Sequence, residues 1–375
     1  MARLGDIGKI ITGNTPKTSE TLNYSSNDIC FIKPSDILDG EITVINDSEF
    51  YISNHARDKA RILPPKCVLV TCIGIIGKVA INNVECAFNQ QINAIVPDQS
   101  KCLTEYLAYA IQNKQKEMQD IANAPVVPIL NKTQFSEIEI ELPSVEEQTE
   151  VVAKIRAVDG LIFLRKQQLS KLDELVKSRF IELFGEVETN VKKFAMKRMD
   201  ECCRFIGGAQ PDKSHFEYEK TDDNIRLIQI RDYKSDRFIT YIPRSLARKT
   251  CTASDIMIGR YGPPIFQILG GIEGAYNVAL MKAVPSDEFN TEYFRYFLKS
   301  EKLLHYLESF SQRTAGQDGI QIDKLNAYPC LVPPMELQNQ FATFVEQVDK
   351  SKFEIQKSLE KLEILKKSLI QQYFG

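Results

Sequence analysis

The glycine-rich segment CIGIIGKVA, residues 72–80, is the first place in this chain where residue types and spacing suggest chemistry. A phosphate-binding loop of the GxxxxGK[ST] type needs a glycine five positions before Gly77. It also needs a hydroxyl directly after Lys78, which would bind Mg²⁺. Cys72 and Val79 occupy those two positions, so the segment lacks the template and no nucleotide site is expected here.

Other arrangements that support catalysis do not occur in the sequence. GxSxG, HExxH and the deaminase pattern HxE…PCxxC are missing, and YGPPIFQILGG contains no GxGxxG. The Asn-Pro-Pro-aromatic motif of amino-methyltransferases is also missing, because Pro333-Pro334-Met335 begins a helix instead. The sequence therefore offers no candidate catalytic centre.

The cysteines and histidines do not predict a metal site or another cofactor. The 9 cysteines form no CxxC pair, and the 3 histidines, His55, His215 and His305, are far apart. Cysteines among apolar neighbours indicate reduced core thiols in a cytoplasmic protein. The start MARLGDIGKI has no secretory signal pattern, and the longest apolar run, residues 68–81, is too short to cross a bilayer.

Basic side chains are concentrated in two stretches, although the net charge is only -3. A run of basic residues is usually a solvated face, but one at a similar place in both halves favours a surface that faces phosphates. In the first half the stretch contains Arg57, Lys59, Arg61 and Lys66. In the second half it contains Arg226, Arg231, Lys234, Arg237, Arg244, Arg248, Lys249 and Arg260.

Two long amphipathic segments, residues 143–185 and 333–375, repeat one pattern and must position these surfaces. Without a gap they share Pro143/Pro333, Gln148/Gln338, Asp159/Asp349, Leu172/Leu362, Lys177/Lys367 and Gly185/Gly375. Apolar residues alternate at four- and three-residue steps in both, which is typical of a coiled coil. Ser144 and Glu147 form a capping box, and Gly185 is expected to end the first helix.

Each long helix needs a partner, because one small domain cannot cover an apolar stripe of about 60 Å, at 1.5 Å per residue. The nearest partner is the copy in the same chain, and the connectivity predicts an antiparallel pair. A homodimeric coiled coil is the alternative.

The segments before the two helices also resemble each other in order and pattern. RLGDIGKIITGNTP matches RMDECCRFIGGAQP, FNQQINAIVPD matches YNVALMKAVPS, and TEYLAYAI matches TEYFRYFL. Short β-branched runs predict strands, and the segments 104–122 and 291–310 each predict one amphipathic helix. The expected fold is α+β, with domains at 1–142 and 186–332, each followed by a spacer helix at 143–185 or 333–375.

With the duplicated domain, the Pro-x-x-Glu-x-Gln helix start and the Leu-x-x-Leu…Phe-Gly helix end, the chain resembles the specificity (S) subunits of type I restriction-modification enzymes. The resemblance implies two target recognition domains, each reading half of a bipartite, asymmetric DNA sequence. It also implies an antiparallel coiled coil that spaces them and docks two methyltransferase (M) subunits. By this resemblance the chain is not itself an enzyme, since methylation would belong to the M subunits, and translocation and cleavage to restriction (R) subunits.

Double-stranded DNA is thus the expected target of the basic stretches. The candidate phosphate and guanine contacts are Arg57, Lys59, Arg61, Arg231, Arg244, Arg248, Lys249 and Arg260. Amides that pair with adenine are secondary candidates, namely Asn89, Gln90, Gln91 and Gln317. Asn89 matches Asn277 in the other half, which would equally indicate a shared turn.

Two other functions remain open from the sequence. The same fold would serve a type IIB-like enzyme, whose catalytic partner combines cleavage and methylation in one chain. A scaffold that joins proteins, without DNA, is the second alternative.

Overall fold

The computed structural model describes residues 1–122, 127–262, 264–310 and 319–375. These form two compact units, residues 1–167 with 356–375 and residues 168–355. Each unit therefore combines a mixed α and β domain with a part of both long helices. Over the described ranges, no helix has the length and apolar character that a bilayer crossing requires.

The domain of the first unit is a sequence of short strands followed by short helices. Its strands are β1 (Ala2–Arg3), β2 (Gly8–Thr12), β3 (Ile29–Ile32), β4 (Thr43–Ile45), β5 (Tyr51–Ile52), β6 (Ile62–Leu63), β7 (Val68–Thr71), β8 (Val79–Asn82), β9 (Cys86–Phe88), β10 (Ile92–Pro97) and β11 (Glu139–Ile140). Its helices are α1 (Leu4–Ile7), α2 (Thr104–Asn113), α3 (Gln115–Ile121) and α4 (Lys132–Glu137).

Two sheets enclose part of the core of this unit. Their strand orders are β2-β10-β7-β8-β4 and β5-β3-β9-β6, and β1 pairs with β11. Successive residues of a strand point to opposite faces. Leu69 of β7 accordingly packs with Phe88 of the other sheet, whereas Val68 and Val70 pack with the cluster that contains Leu107 of α2.

The described part of the second unit has elements that correspond, in the same order, to all those of the first except β4. Its strands are β12 (Ala195–Arg198), β13 (Cys203–Gly207), β14 (Asn224–Ile228), β15 (Tyr241–Pro243), β16 (Thr250–Cys251), β17 (Ile256–Gly259), β18 (Gln267–Leu269), β19 (Gly274–Tyr276), β20 (Leu280–Pro285) and β21 (Pro329–Val332). The sheets run β13-β20-β17-β18, β15-β14-β19-β16 and β12-β21. The short helices, numbered after the first long helix α5, are α6 (Met199–Cys202), α7 (Thr291–Leu298), α8 (Glu301–Phe310) and α9 (Ile322–Ala327).

The two long helices are α5 (Val145–Phe184) and α10 (Met335–Phe374), each of 40 residues. The predicted capping box is confirmed, because the Ser144 amide donates to the Glu147 carboxylate at 2.9 Å and the Glu147 amide donates to Ser144 Oγ at 3.3 Å. Gly185 follows α5 with a φ of 70°, in the left-handed region that a glycine at a helix end adopts readily.

Within each unit, the early part of one long helix contacts the late part of the other. In the first unit, Lys366 Nζ lies 2.7 Å from Asp159 Oδ1. In the second unit, Lys352 Nζ of α10 forms an ion pair with Asp173 Oδ1 of α5 at 2.5 Å. The ring of Phe341 packs edge-on to that of Phe180, with 5.3 Å between centroids.

The prediction of one helix over 104–122 and one over 291–310 is wrong in both units. Each segment contains two helices, and the breaks fall at Lys114 and at residues 299–300. The amides of Lys114 and Lys299 donate to carbonyls three residues earlier, Ile111 and Tyr296, which tightens the last turn and stops the α-helical ladder. The apolar periodicity of the sequence continues through each break, so the periodicity does not reveal where the helix is interrupted.

A buried glutamine in the first turn of each long helix joins that helix to the domain before it. Gln148 is fully buried; its Nε2 donates to the carbonyls of Lys101 and Pro143, both at 2.9 Å, and its Oε1 accepts the amide of Leu103 at 2.9 Å.

Gln338, also fully buried, makes the matching bonds to Glu288, Pro333 and Asn290. Leu103 and Asn290 are the N-caps of α2 and α7. We call each set of three hydrogen bonds the glutamine clamp.

Replacing Gln148 by methionine, which has a similar shape but no amide, should lower the free energy of unfolding by about 2–4 kcal/mol. The reason is that buried backbone groups lose their hydrogen bonds, at about 1–3 kcal/mol for each group left unpaired. Gln167→Met, an exposed site on the same helix, is the matched control and should change stability by less than about 0.5 kcal/mol. Urea unfolding followed by circular dichroism measures both; equal effects would show that the clamp does not stabilise the fold.

Candidate nucleic-acid interface

The candidate interface of the first unit lies where two parallel strands end together. β3 and β9 are parallel, with Ile32 opposite Phe88, so their carboxyl ends lie at the same edge of the sheet. Residues 13–15, 59–61 and 89–91 meet at this edge. We call these three segments the first loop edge.

Asn14 and Thr15 hold the three segments of the first loop edge together. Asn14 donates through Nδ2 to the carbonyl of Lys59 at 2.7 Å and accepts the amide of Arg61 at 2.8 Å. Thr15 Oγ1 donates to Gln90 Oε1 at 2.7 Å. Side chains that are far apart in the sequence, such as those of Arg61 and Gln90, thus share one surface.

The second unit builds an equivalent edge with different side chains. β14 and β19 are parallel, with Ile228 opposite Tyr276. Lys249 directly precedes β16, which pairs with β19, just as Arg61 directly precedes β6, which pairs with β9. We call residues 229–231, 248–249, 260 and 277–279 the second loop edge.

Matching backbone bonds relate the two edges. The amide of Arg260 donates to the carbonyl of Ala279 at 2.9 Å, and the amide of Cys72 donates to that of Gln91 at 2.8 Å. A Cβ atom added to Gly13 would overlap the carbonyl oxygen of Asn89, and one added to Gly208 would overlap that of Asn277. The close approach of backbone explains why both positions are glycine.

Of the predicted basic contacts in the first unit, Lys59 and Arg61 lie at the loop edge and are exposed. The guanidinium of Arg61 donates to the carbonyl of Thr12. Lys59 Nζ pairs with Glu20 Oε1 at 2.5 Å, and this hydrogen bond, with a smaller contribution from His55, lowers the pKa of Glu20 to about 2. The Lys59 charge is therefore partly neutralised inside the unit.

The three side-chain amides at this edge, those of Asn89, Gln90 and Gln91, differ in solvent exposure. Gln90 is exposed and Gln91 is partly buried. Asn89 is only 7% exposed, and its Oδ1 accepts the amide of Gln91 at 3.0 Å, as the Oδ1 of Asn277 accepts that of Ala279 at 3.1 Å. These bonds place the side chain of Asn89 in a turn that both units share, as its match with Asn277 indicated, and its contact with a base stays a prediction.

Arg57 and Arg244 are not brought to the loop edges. Arg57 Nη2 pairs with Glu85 Oε2 at 2.7 Å, and Glu85 directly precedes β9, at the end of the strand opposite to Asn89. Arg244 Nε donates to the carbonyl of Asp222 at 3.0 Å, before the start of β14. Proximity in sequence placed these two residues in the predicted surface, but strand direction separates them from it.

In the second unit, the structure places Arg231, Arg248, Lys249 and Arg260 at the loop edge, and Gln317 lies outside the described residues. The side chains of Arg248 and Lys249 are exposed and bond to nothing within the described ranges. Arg260 is half-buried, and its Cζ atom lies 5.3 Å from the centroid of the Tyr261 ring. Its buried Nε has no hydrogen-bond partner among the described residues.

Arg231 is oriented by its own loop. Its Nη2 donates to the carbonyl of Phe238 at 3.4 Å, and its Nε lies 3.9 Å from the carboxylate of Asp232. Burial raises the pKa of Asp232, a larger effect than the lowering by the amide of Gln229 and by Arg226.

Asn14, Thr15 and Phe238 were not predicted for these surfaces, since only charged and amide side chains were candidates. The available signal for the first two was their place beside Gly13, in the segment that resembles residues 198–211. For Phe238, the available signal was an aromatic residue directly after the polar run Ser235 to Arg237. Within the described part of the chain, no cluster of His, Cys, Asp and Glu has the make-up to hold a metal ion.

Comparison with known families identifies the domain that carries the first loop edge. Residues 1–174 match the model of the type I restriction modification DNA specificity domain. The MjaIX specificity subunit of Methanocaldococcus jannaschii is 30% identical over 190 residues, or 50% of this chain and 44% of the relative. The HindI specificity subunit of Haemophilus influenzae is 34% identical over 149 residues, or 39% of this chain and 32% of the relative. These alignments span less than half of either relative.

Longer matches extend the likeness to the whole chain. The StySPI specificity subunit of Salmonella potsdam is 19% identical over 377 residues, covering 92% of this chain and 81% of the relative. An S subunit structure from M. genitalium covers 100% of this chain and 95% of its own, with a TM-score of 0.58 and 12% identity. A structure described for complex assembly of the type I R-M system covers 100% and 96%, with a TM-score of 0.60 and 17% identity, so both solved structures share the fold. Residues 1–174 thus resemble the type I restriction modification DNA specificity domain, and the chain as a whole is similar to type I restriction enzyme specificity subunits.

Proposed function

We propose that this chain is the DNA-binding specificity subunit of a type I restriction-modification system and that each domain reads one half of a bipartite target. The observation that carries the proposal is that equivalent strands form a loop edge in each unit, with different side chains at the two edges. Arg61 and Gln90 occupy the first edge, and Arg231, Lys249 and Arg260 occupy the second. Because the side chains differ, the half-sites differ and the whole target is asymmetric.

We propose further that α5 and α10 form an antiparallel coiled coil that sets the distance between the half-sites. Support comes from the contacts inside each unit, Asp159 with Lys366 in one and Asp173 with Lys352 in the other. A helix of 40 residues is about 60 Å long, which exceeds one turn of DNA, about 34–36 Å. The bases between the half-sites would then go unread.

The docking of two methyltransferase subunits is supported by apolar side chains that the two long helices expose at equivalent positions. Phe163 is 61% exposed and its counterpart Phe353 is 59% exposed. Leu175 and Leu365 are 47% and 46% exposed. Exposed apolar groups that recur in register mark an interaction site better than scattered ones, and two copies of the pattern suit two copies of one partner.

In this proposal the chain itself catalyses no reaction. The M subunits methylate adenine, and the R subunits, which join through the complex, translocate and cleave DNA. The 9 cysteines are free thiols, which suits the reducing cytoplasm as the place of action.

Charge reversal at the loop edges tests the DNA-binding surface. In the complex with its M subunits, Arg61→Glu and Lys249→Glu should each weaken binding to the target duplex about tenfold, because a phosphate contact is replaced by repulsion. Each should also reduce the slope of log affinity against log salt by about 1. Fluorescence anisotropy across a salt series measures both quantities.

The matched controls for charge reversal are Arg57→Glu and Arg244→Glu, which lie away from the loop edges. They should change the affinity less than about twofold, since Arg57 pairs with Glu85 and Arg244 bonds to the Asp222 carbonyl, at the strand ends opposite to the loop edges. Controls as harmful as the loop-edge variants would contradict the assigned surface. Unchanged binding in all four variants would favour a scaffold without DNA.

Subunit docking is tested at the two exposed phenylalanines. Phe163→Glu should remove one of two M subunits from the complex, and Phe163→Glu with Phe353→Glu should remove both, since a charge cannot replace a buried aromatic anchor. Native mass spectrometry counts the subunits. Gln167→Glu, which adds the same charge to α5, should leave two bound, and full assembly of the double variant would rule out this docking site.

A further inference from the structure

We infer that Phe238, held between Arg231 and Arg237, is a stacking wedge that opens a base-pair step at the second half-site. This inference rests on the proposed DNA-binding function and deepens it. Apolar side chains that insert between base steps partly unstack them and bend the duplex, and cations beside the ring contact the adjacent phosphates.

The ring of Phe238 is unusually placed for a large apolar side chain. It is 57% exposed, and it packs against two guanidinium groups instead of a hydrophobic core. The Cζ atom of Arg237 lies 5.1 Å from the ring centroid and that of Arg231 lies 5.8 Å from it. Both distances are within the range of a cation–π interaction, which fixes the orientation of the ring without covering it.

The loop that carries Phe238 is held by its own hydrogen bonds. The Arg237 amide donates to Ser235 Oγ at 3.1 Å, and Arg226 Nη2 donates to Asp236 Oδ1 at 2.9 Å. Arg231 Nη2 donates to the Phe238 carbonyl at 3.4 Å. An exposed ring on a braced loop loses little conformational entropy when it stacks on a base.

Both ends of this loop begin at the second loop edge. Its first residue follows Ile228, whose carbonyl accepts the amide of Asn277 at 3.1 Å. Its last residue, Thr240, has a carbonyl that accepts the amide of Leu227 at 2.8 Å. Phe238 is therefore carried by the same surface as Arg231, beside the side chains assigned to the duplex.

The corresponding loop of the first unit carries a less exposed aromatic ring, with one neighbouring cation. Lys33 Nζ lies 3.0 Å from the centroid of the Phe50 ring, and the Phe50 carbonyl accepts the amide of Phe31 at 2.8 Å. Phe50 is 38% exposed and has one cation instead of two. We therefore place the larger distortion of DNA at the half-site of the second unit.

The chemistry of the wedge favours nucleic acid over a protein partner. An apolar protein groove would accept the ring but not two flanking guanidinium groups, whose desolvation is costly. A base has a π face for the ring, and the phosphates on each side supply the counter-charges. An acidic protein surface is the alternative partner, and the effect of Phe238→Ala on DNA binding distinguishes the two.

The test uses the complex of the full chain with its M subunits and a target duplex that carries 2-aminopurine at single positions other than the methylated adenine. Fluorescence should rise at one step in the second half-site, because unstacking relieves quenching. Phe238→Ala should abolish that rise and weaken binding about tenfold. Phe238→Leu, which keeps an apolar wedge, should retain most of the rise.

Tyr218→Ala is the matched control, since Tyr218 is an aromatic residue of the same unit that is 75% exposed. It should leave both the rise and the affinity unchanged. A Phe238→Ala complex with unchanged affinity and fluorescence would overturn the wedge, as would a folded Phe238→Ala chain that no longer assembles with M subunits, because Phe238 would then contact protein. A wild-type complex that prefers no split sequence would instead overturn the proposed function, and the wedge with it.

Discussion

The glutamine clamp is the interaction on which the rest of the structure depends. A single buried amide in each unit satisfies two carbonyls and one amide that would otherwise have no partner at the junction of a domain and a long helix. Because unpaired buried groups are costly, the junction has essentially one arrangement. The clamp therefore fixes the direction in which each long helix leaves its domain, and with it the orientation of the loop edge relative to that helix.

The side chains at the proposed DNA surface can vary because the clamp and the strands do not contribute to that surface. The pairs β3–β9 and β14–β19 end in the same way, and the glycines Gly13 and Gly208 allow the same close backbone approach. The side chains placed on this frame then differ freely, with Arg61 at one edge and Lys249 at the matching position of the other. A fixed scaffold with exchangeable loops is a common solution for binding proteins.

Much of the fold could be predicted from the sequence, because its signals are local. Ser144 and Glu147 mark the start of α5, and alternating or β-branched runs mark strands such as β10 and β20. The breaks at Lys114 and at residues 299–300 could not be predicted, since a tightened turn keeps the apolar spacing intact. Gln148 stood out in the repeat, but its role depends on Lys101 and Leu103, which only the tertiary fold brings near.

The candidate site was less predictable, because strand direction decides which basic residues share a surface. Arg57 and Arg61 are four positions apart, but only Arg61 bonds to the segment that carries Asn14 and Thr15. Asparagine is a residue type that often contacts bases, but the side chain of Asn89 is buried, as expected for a residue inside a turn. Phe238 was missed because an aromatic residue is ordinarily assigned to the core, and its exposure is a tertiary fact.

The most direct test of the account is single-molecule sequencing of DNA from cells that carry this chain and its M partner. Wild-type chain should place N6-methyladenine in an asymmetric motif of two parts with an unread spacer of fixed length. Gln90→Ala should relax one part only, and Arg260→Gln should relax only the other. Methylation without a split motif, or loss of the same part of the motif in both variants, would contradict the claim that each unit reads its own half of the target.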